Sequence, residues 1–148
     1  MEIKNLFEPE IKQELIDRIN SLSNQSQAKW GKMNVAQMLA HCQLPVLAAY
    51  GKHEIKGNLL IKLLGPLFKN TLFNSTPYKK GLPTDKSYIV TVEKEFEKEK
   101  SGLLELLSQF SEINIIDGKH PVFGKMTKEQ WSKAIWKHID HHLRQFGA

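Results

Sequence analysis

Apolar residues in this chain return every three or four positions almost from end to end, a period that commits it to helices. In "EPEIKQELIDRINSL" the repeat is Ile11, Leu15, Ile19 and Leu22, with Pro9 suited to a first helical position. The polar loop "SNQSQ" leads to a second segment opened by "NVAQ", where Asn34 and Gln37 have the spacing of a capping box. Val35, Met38, Leu39, Cys42, Val46 and Ala49 then share one broad face. A third helix is predicted from about Lys86 to Phe110, with Ile89, Val92, Phe96, Leu103, Leu107 and Phe110 inward and "EKEFEKEK" as its solvated side. "DGKHPVFGKM" reads as a loop. "TKEQ" repeats the capping box from Thr127 to Gln130 at the head of a last helix, which Gly147 ends. No stretch alternates with the period of a strand.

Between the second and third helices lies an irregular stretch, 57–76, containing "GNLLIKLLGPLFKN" and broken by "GP" and "STP". It predicts one or two short apolar helices. The expected fold is therefore all-α, a single domain over 1–148. Four helices form a bundle, with a short helical insertion between helices 2 and 3. Cys42 stands alone, which excludes a disulfide framework and a thiolate cluster for structural zinc. The net charge of +5 is mild and scattered, with no arginine-rich block or finger pattern, so no nucleic-acid partner is expected. The opening "MEIKNLFEPEIK" has no long apolar run, and the insertion is far short of the roughly 20 residues that span a bilayer. The expectation is a cytoplasmic protein that does not enter membranes.

The chemistry concentrates in "WKHIDHHLRQFG". Turning the last helix by about 100° per residue sets Trp131, Ala134, Ile135, Ile139, Leu143 and Phe146 in one stripe. His142 falls inside that stripe and His138 at its border. His141 lies on the flank, and Asp140 points nearly opposite, toward solvent. Side chains at i and i+4 are neighbours on a helix, so His138 and His142 can converge on one ion. A third ligand must come from a facing helix, and His41 in "QMLAHC", at the edge of the second helix's apolar face, is the candidate. Three neutral imidazoles suit zinc or nickel, and three protein ligands leave a coordination position open. Gln37, one turn before His41, is a candidate partner for a ligand ring. His120 is expected to order its loop or to reach the mouth of the site, and His53 to lie on the surface. The competing reading of the same rings is buried neutral histidines bonded to backbone carbonyls.

"WGKMNVAQMLAHC" followed by "HPVFGKMTKEQWSKAIWKHIDHHLRQFG" resembles the DinB-like (YfiT-type) metalloenzyme superfamily, over essentially the whole chain. It fits best a bacterial branch described only as a domain of unknown function. The resemblance implies a four-helix bundle, often a homodimer, with a metal held by one histidine of the second helix and an HxxxH pair of the fourth. Carried over, these are His41, His138 and His142. Relatives include thiol-dependent transferases that use bacillithiol, mycothiol or glutathione, and an isomerase. A low-molecular-weight thiol cosubstrate and a small-molecule electrophile are thereby implied. The sequence itself disfavours peptide hydrolysis, because the glutamate of an HExxH protease is Ile139 here. Leu63, Leu64, Leu67, Phe68 and Phe73 are expected to line or cover a substrate cavity, or to fill the core. Two other functions remain open at this point. One is a non-catalytic metal-binding or sensing protein. The other is a membrane- or partner-binding helical module built on the insertion.

Overall fold

Two capping boxes fix the starts of the two helices that carry the histidines. In a computed structural model, which describes residues 1–55, 59–82, 84–116, 118–120 and 122–148, Asn34 accepts the Gln37 amide N–H at 2.8 Å and Gln37 accepts that of Asn34 at 3.0 Å. Thr127 and Gln130 repeat the exchange at 3.1 Å in both directions. Each such cap is worth about 1 kcal/mol because it satisfies amides with no partner inside the helix. Gly57 at the start of the insertion and Pro121 of the expected loop lie outside the described residues, and for 59–62, 118 and 119 only the backbone is described.

The described chain is mostly helical. Helix α1 is Pro9–Asn20, α2 Val35–Ala49, α3 Leu59–Phe68, α4 Phe96–Ser108 and α5 Lys128–Gln145. Helix α2 packs on α4 and α5, and α1 packs on the same two. Their inward faces form one core: Leu15 and Ile19 from α1, Met38, Leu39, Cys42 and Val46 from α2, Leu103 and Leu107 from α4, and Ile135, Ile139 and Leu143 from α5. Pro9 does occupy the first turn of α1. The Cys42 thiol is fully buried and rests on the Met38 sulfur at 3.6 Å, a packing role. Among the described residues no helix is long and apolar enough to cross a membrane.

Three expectations are corrected. The predicted helix from Lys86 to Phe110 is in fact a 3-10 turn, Lys86–Tyr88, then a non-helical run, with α4 starting only at Phe96. The intervening "YIVTV" is β-branched at four positions, which disfavours helix. The Gln37 side chain also donates to the carbonyls of Thr91 and Val92, both at 3.3 Å. Ile89 and Val92 consequently face solvent. The expected loop at "DGKHPVFGKM" contains a small antiparallel hairpin, β1 Gly118–His120 with β2 Gly124–Met126. Its strands are too short for alternation to register in the sequence. Finally, Asp140 does not reach solvent. It does lie opposite the apolar stripe, but α1 covers it, and its side chain is 2% exposed with Arg18 at 2.9 Å.

Candidate metal centre

Helices α2 and α5 bring three imidazoles together. The ring centroids of His41, His138 and His142 form a nearly equilateral triangle with sides of 4.8, 4.7 and 4.8 Å. One nitrogen from each ring lies within 4.8 Å of the other two. The i,i+4 geometry of α5 accounts for one side of the triangle, and the α2–α5 packing supplies its third corner. No carboxylate or thiol joins this group among the described residues.

Two of the rings have their outer nitrogen held. His41 Nδ1 donates to the carbonyl of Tyr88 at 2.8 Å. His142 Nδ1 bonds the Gln145 side-chain oxygen, also at 2.8 Å. Each bond leaves Nε2 as the free nitrogen of its ring. His138 Nε2 is buried and has no hydrogen-bond partner among the described residues. A buried unpaired nitrogen costs roughly 1–3 kcal/mol, and beside it His41 and His142, bonded outward through Nδ1, turn their Nε2 lone pairs inward.

Burial keeps these rings neutral. It lowers the proton affinity of His41 against the opposing pull of the Tyr88 carbonyl. His142 is pushed down to about 3, by burial first and then by His41. His138 falls well below the usual histidine range through burial, and after that through repulsion from His142, His41 and His141. Neutral imidazole is the form that binds metal. A set of three nitrogens with no oxygen suits zinc or nickel far better than magnesium or calcium.

The other sequence candidates take different places. Gln37 closes the α2 cap and anchors the Thr91–Val92 carbonyls; its bonds are to these backbone groups and not to a ligand ring. His141 lies against His142, Tyr78 and Trp30, at centroid distances of 5.1, 5.7 and 5.7 Å, outside the group of three. His120 orders the hairpin turn: its Nδ1 accepts from the amides of Val122 at 3.1 Å and Phe123 at 3.2 Å. Its ring rests on Phe123 and Trp131, and burial lowers its pKa to about 4. His53 departs from its expected surface position, with its ring stacked on Tyr88 at 5.4 Å and its Nε2 buried.

The expected cavity lining also needs correction. Leu63, Leu64, Leu67 and Phe68 are exposed, and only Phe73 is half-buried. Helix α3 turns its glycine inward: a Cβ on Gly65 would lie 2.2 Å from the Val122 carbonyl oxygen, so that backbone approach fixes which face is left outside.

Three groups at the site escaped the sequence reading. The Tyr88 carbonyl carries no side-chain signal at all. Gln145, three residues after His142, was visible in principle as an i,i+3 neighbour. Lys137 is 1% exposed, and its ammonium donates to the Thr71 carbonyl at 2.7 Å and to the Asn74 carbonyl and side-chain oxygen, both at 2.9 Å. It thereby pins the turn after α3 to α5, beside His138.

A family model described as "Protein of unknown function (DUF1569)" matches residues 7–148. No curated protein and no solved structure matches the chain.

Proposed function

The chain belongs to the DUF1569 family, and from that premise we propose that it is a metal-dependent enzyme built as a four-helix bundle of DinB-like type. In this reading His41, His138 and His142 hold zinc or nickel, and a small-molecule electrophile reacts with a low-molecular-weight thiol. The observation that carries the proposal is the triangle of three neutral imidazoles with a buried, unpaired His138 Nε2. A divalent ion held there would supply a Lewis acid with a coordination position to spare, which would acidify a thiol or water toward neutral pH.

The protein's own groups orient and protect that position. The Tyr88 carbonyl and the Gln145 amide hold the outer nitrogens of His41 and His142, so that both rings present Nε2 inward. Lys137 fixes the turn Lys69–Leu72 and Asn74 against α5. With no carboxylate in the group to act as general base, the arrangement favours a nucleophile acidic enough to be delivered as an anion, which a thiol is and an amine is not.

Elemental analysis of protein purified without a polyhistidine tag tests the reading. One zinc or nickel per chain is expected, absent from His138→Ala, together with thiol-dependent turnover that the variant loses. Equal metal in both proteins would remove the site.

A further inference from the structure

We propose that Gln145 is a positioning residue that decides which nitrogen of His142 is offered to the metal, and that the Trp30 carbonyl sets it from outside the helix. This rests on the metal-centre reading above and adds how the centre is prepared before an ion arrives.

The two ends of a glutamine side chain differ only in what they can do: one donates and the other accepts. Here the neighbours assign them. The carbonyl oxygen of Trp30 can only accept, and the Gln145 Nε2 donates to it at 2.6 Å. The amide oxygen must then face His142 Nδ1, 2.8 Å away. An oxygen in that position requires Nδ1 to carry the proton, which leaves the lone pair on Nε2. A backbone carbonyl on the loop before α2 thus selects the tautomer of a ring on α5, with one side chain as the link.

The surroundings are shaped to keep that link in place. Gln145 is 3% exposed, so water does not substitute for either bond. Its own carbonyl accepts the Lys29 amide at 2.8 Å, clasping the loop a second time. Gly31 stands next to the clasp with φ of 83°, and a Cβ there would lie 2.6 Å from Gln145 Nε2. The loop can close over the amide only with glycine at that position, for both reasons. The Tyr88 carbonyl fixes His41 directly in the same sense. Two of the three rings are therefore set in the metal-binding tautomer in advance, and the ion need not reorganise them.

Long-range proton–nitrogen NMR of the metal-free protein at neutral pH reads the tautomer. In the unaltered protein His142 is expected as the Nδ1–H form. Gln145→Leu removes the acceptor, so the ring should shift toward Nε2–H. Its zinc affinity should fall about 10–100-fold, with a changed visible spectrum of the cobalt-substituted protein. Gln145→Glu keeps an acceptor on Nδ1 while giving up the donor to Trp30, and should return the ring to the Nδ1–H tautomer that Gln145→Leu loses, a rescue that a purely structural role would not give. Gly31→Ala displaces the amide from the loop side with no substitution on α5 and should reproduce the loss, which covers the case of a Gln145→Leu that does not fold. An Nε2–H ring in the unaltered protein would overturn the proposal. So would an unchanged tautomer and affinity in both loss variants. Failure of the unaltered protein to take up zinc would count against the metal centre itself, while the tautomer measurement would still decide the role of Gln145.

Discussion

Helix α5 buries polar groups on two opposite faces, and the two are built on contrary principles. Asp140 sits between Arg18 and Arg144, each 2.9 Å from one of its oxygens. That charge is paired on both oxygens, although Oδ2 meets Arg144 as an ion pair and makes no hydrogen bond among the described residues. On the far side His138 and His142 meet His41 as three groups of the same kind, neutral and mutually discouraging protonation. Burial is shared by both faces and so does not distinguish them. What distinguishes the histidine face is that the Nε2 lone pairs of His41 and His142 converge on a third imidazole whose own Nε2 has no partner among the described residues. The indole nitrogens of Trp131 and Trp136 are also buried and unpaired, but an indole N–H only donates and cannot bind a cation.

The contrast breaks first on a pair of alanine variants. His138→Ala should weaken zinc binding by more than about 100-fold, since a lost ligand exceeds the 10–100-fold typical of a lost outer partner. The metal-free protein should unfold at nearly the same denaturant concentration, because an unpaired nitrogen leaves with the ring. Asp140→Ala should do the reverse. It leaves Arg18 and Arg144 without their carboxylate and should cost about 2 kcal/mol, moderated by the partial exposure of both arginines. Its metal content should be unchanged. Chemical denaturation with and without zinc measures both. Equal responses of the two variants would dissolve the distinction.

Acid sharpens it further. His142 and His120 have folded pKa values lowered to about 3 and about 4, below the unfolded value near 6.5. The unfolded chain therefore binds more protons as pH falls below about 6.5, and stability drops from there down through those folded values. Above that window these rings are neutral in both states and contribute no slope. The metal-free protein should lose roughly 1 kcal/mol per pH unit per histidine between about pH 6 and 4, as read from denaturation midpoints. His120→Gln, which replaces the hairpin histidine with a group that does not titrate there, should make that decline shallower while leaving zinc uptake intact.

How much of this was open to a reader of the sequence depends on whether side-chain spacing or chain-distant geometry decides. His138 and His142 announce themselves by i,i+4 spacing, and His41 by its place on the edge of an apolar face; the structure does bring the three together. Both capping boxes are local and were legible. The late start of α4 at Phe96 is legible in "YIVTV", whose β-branched run weighs against the charged pattern that follows it. Asp140 was placed at the right angle but given the wrong surroundings, because Arg18 comes from 122 residues away. Tyr88 was invisible for a different reason: its contribution is a carbonyl, which every residue possesses.

The smallest effect is expected on the outer face of α3. Helix α3 has apolar residues at helical spacing like α5, yet Leu63 is 72% and Leu67 77% exposed. Gly65 occupies the face that meets Val122, so the large side chains are left pointing outward. Leu67→Gln therefore removes little buried area, and the change in unfolding free energy should stay within about 0.5 kcal/mol, with zinc uptake untouched. The same substitution at Leu143, 1% exposed on the core stripe of α5, should cost several times as much. A loss at Leu67 approaching that at Leu143 would mean that the outer face of α3 is covered in solution. The contrast between covered and uncovered helix faces would then have to be redrawn.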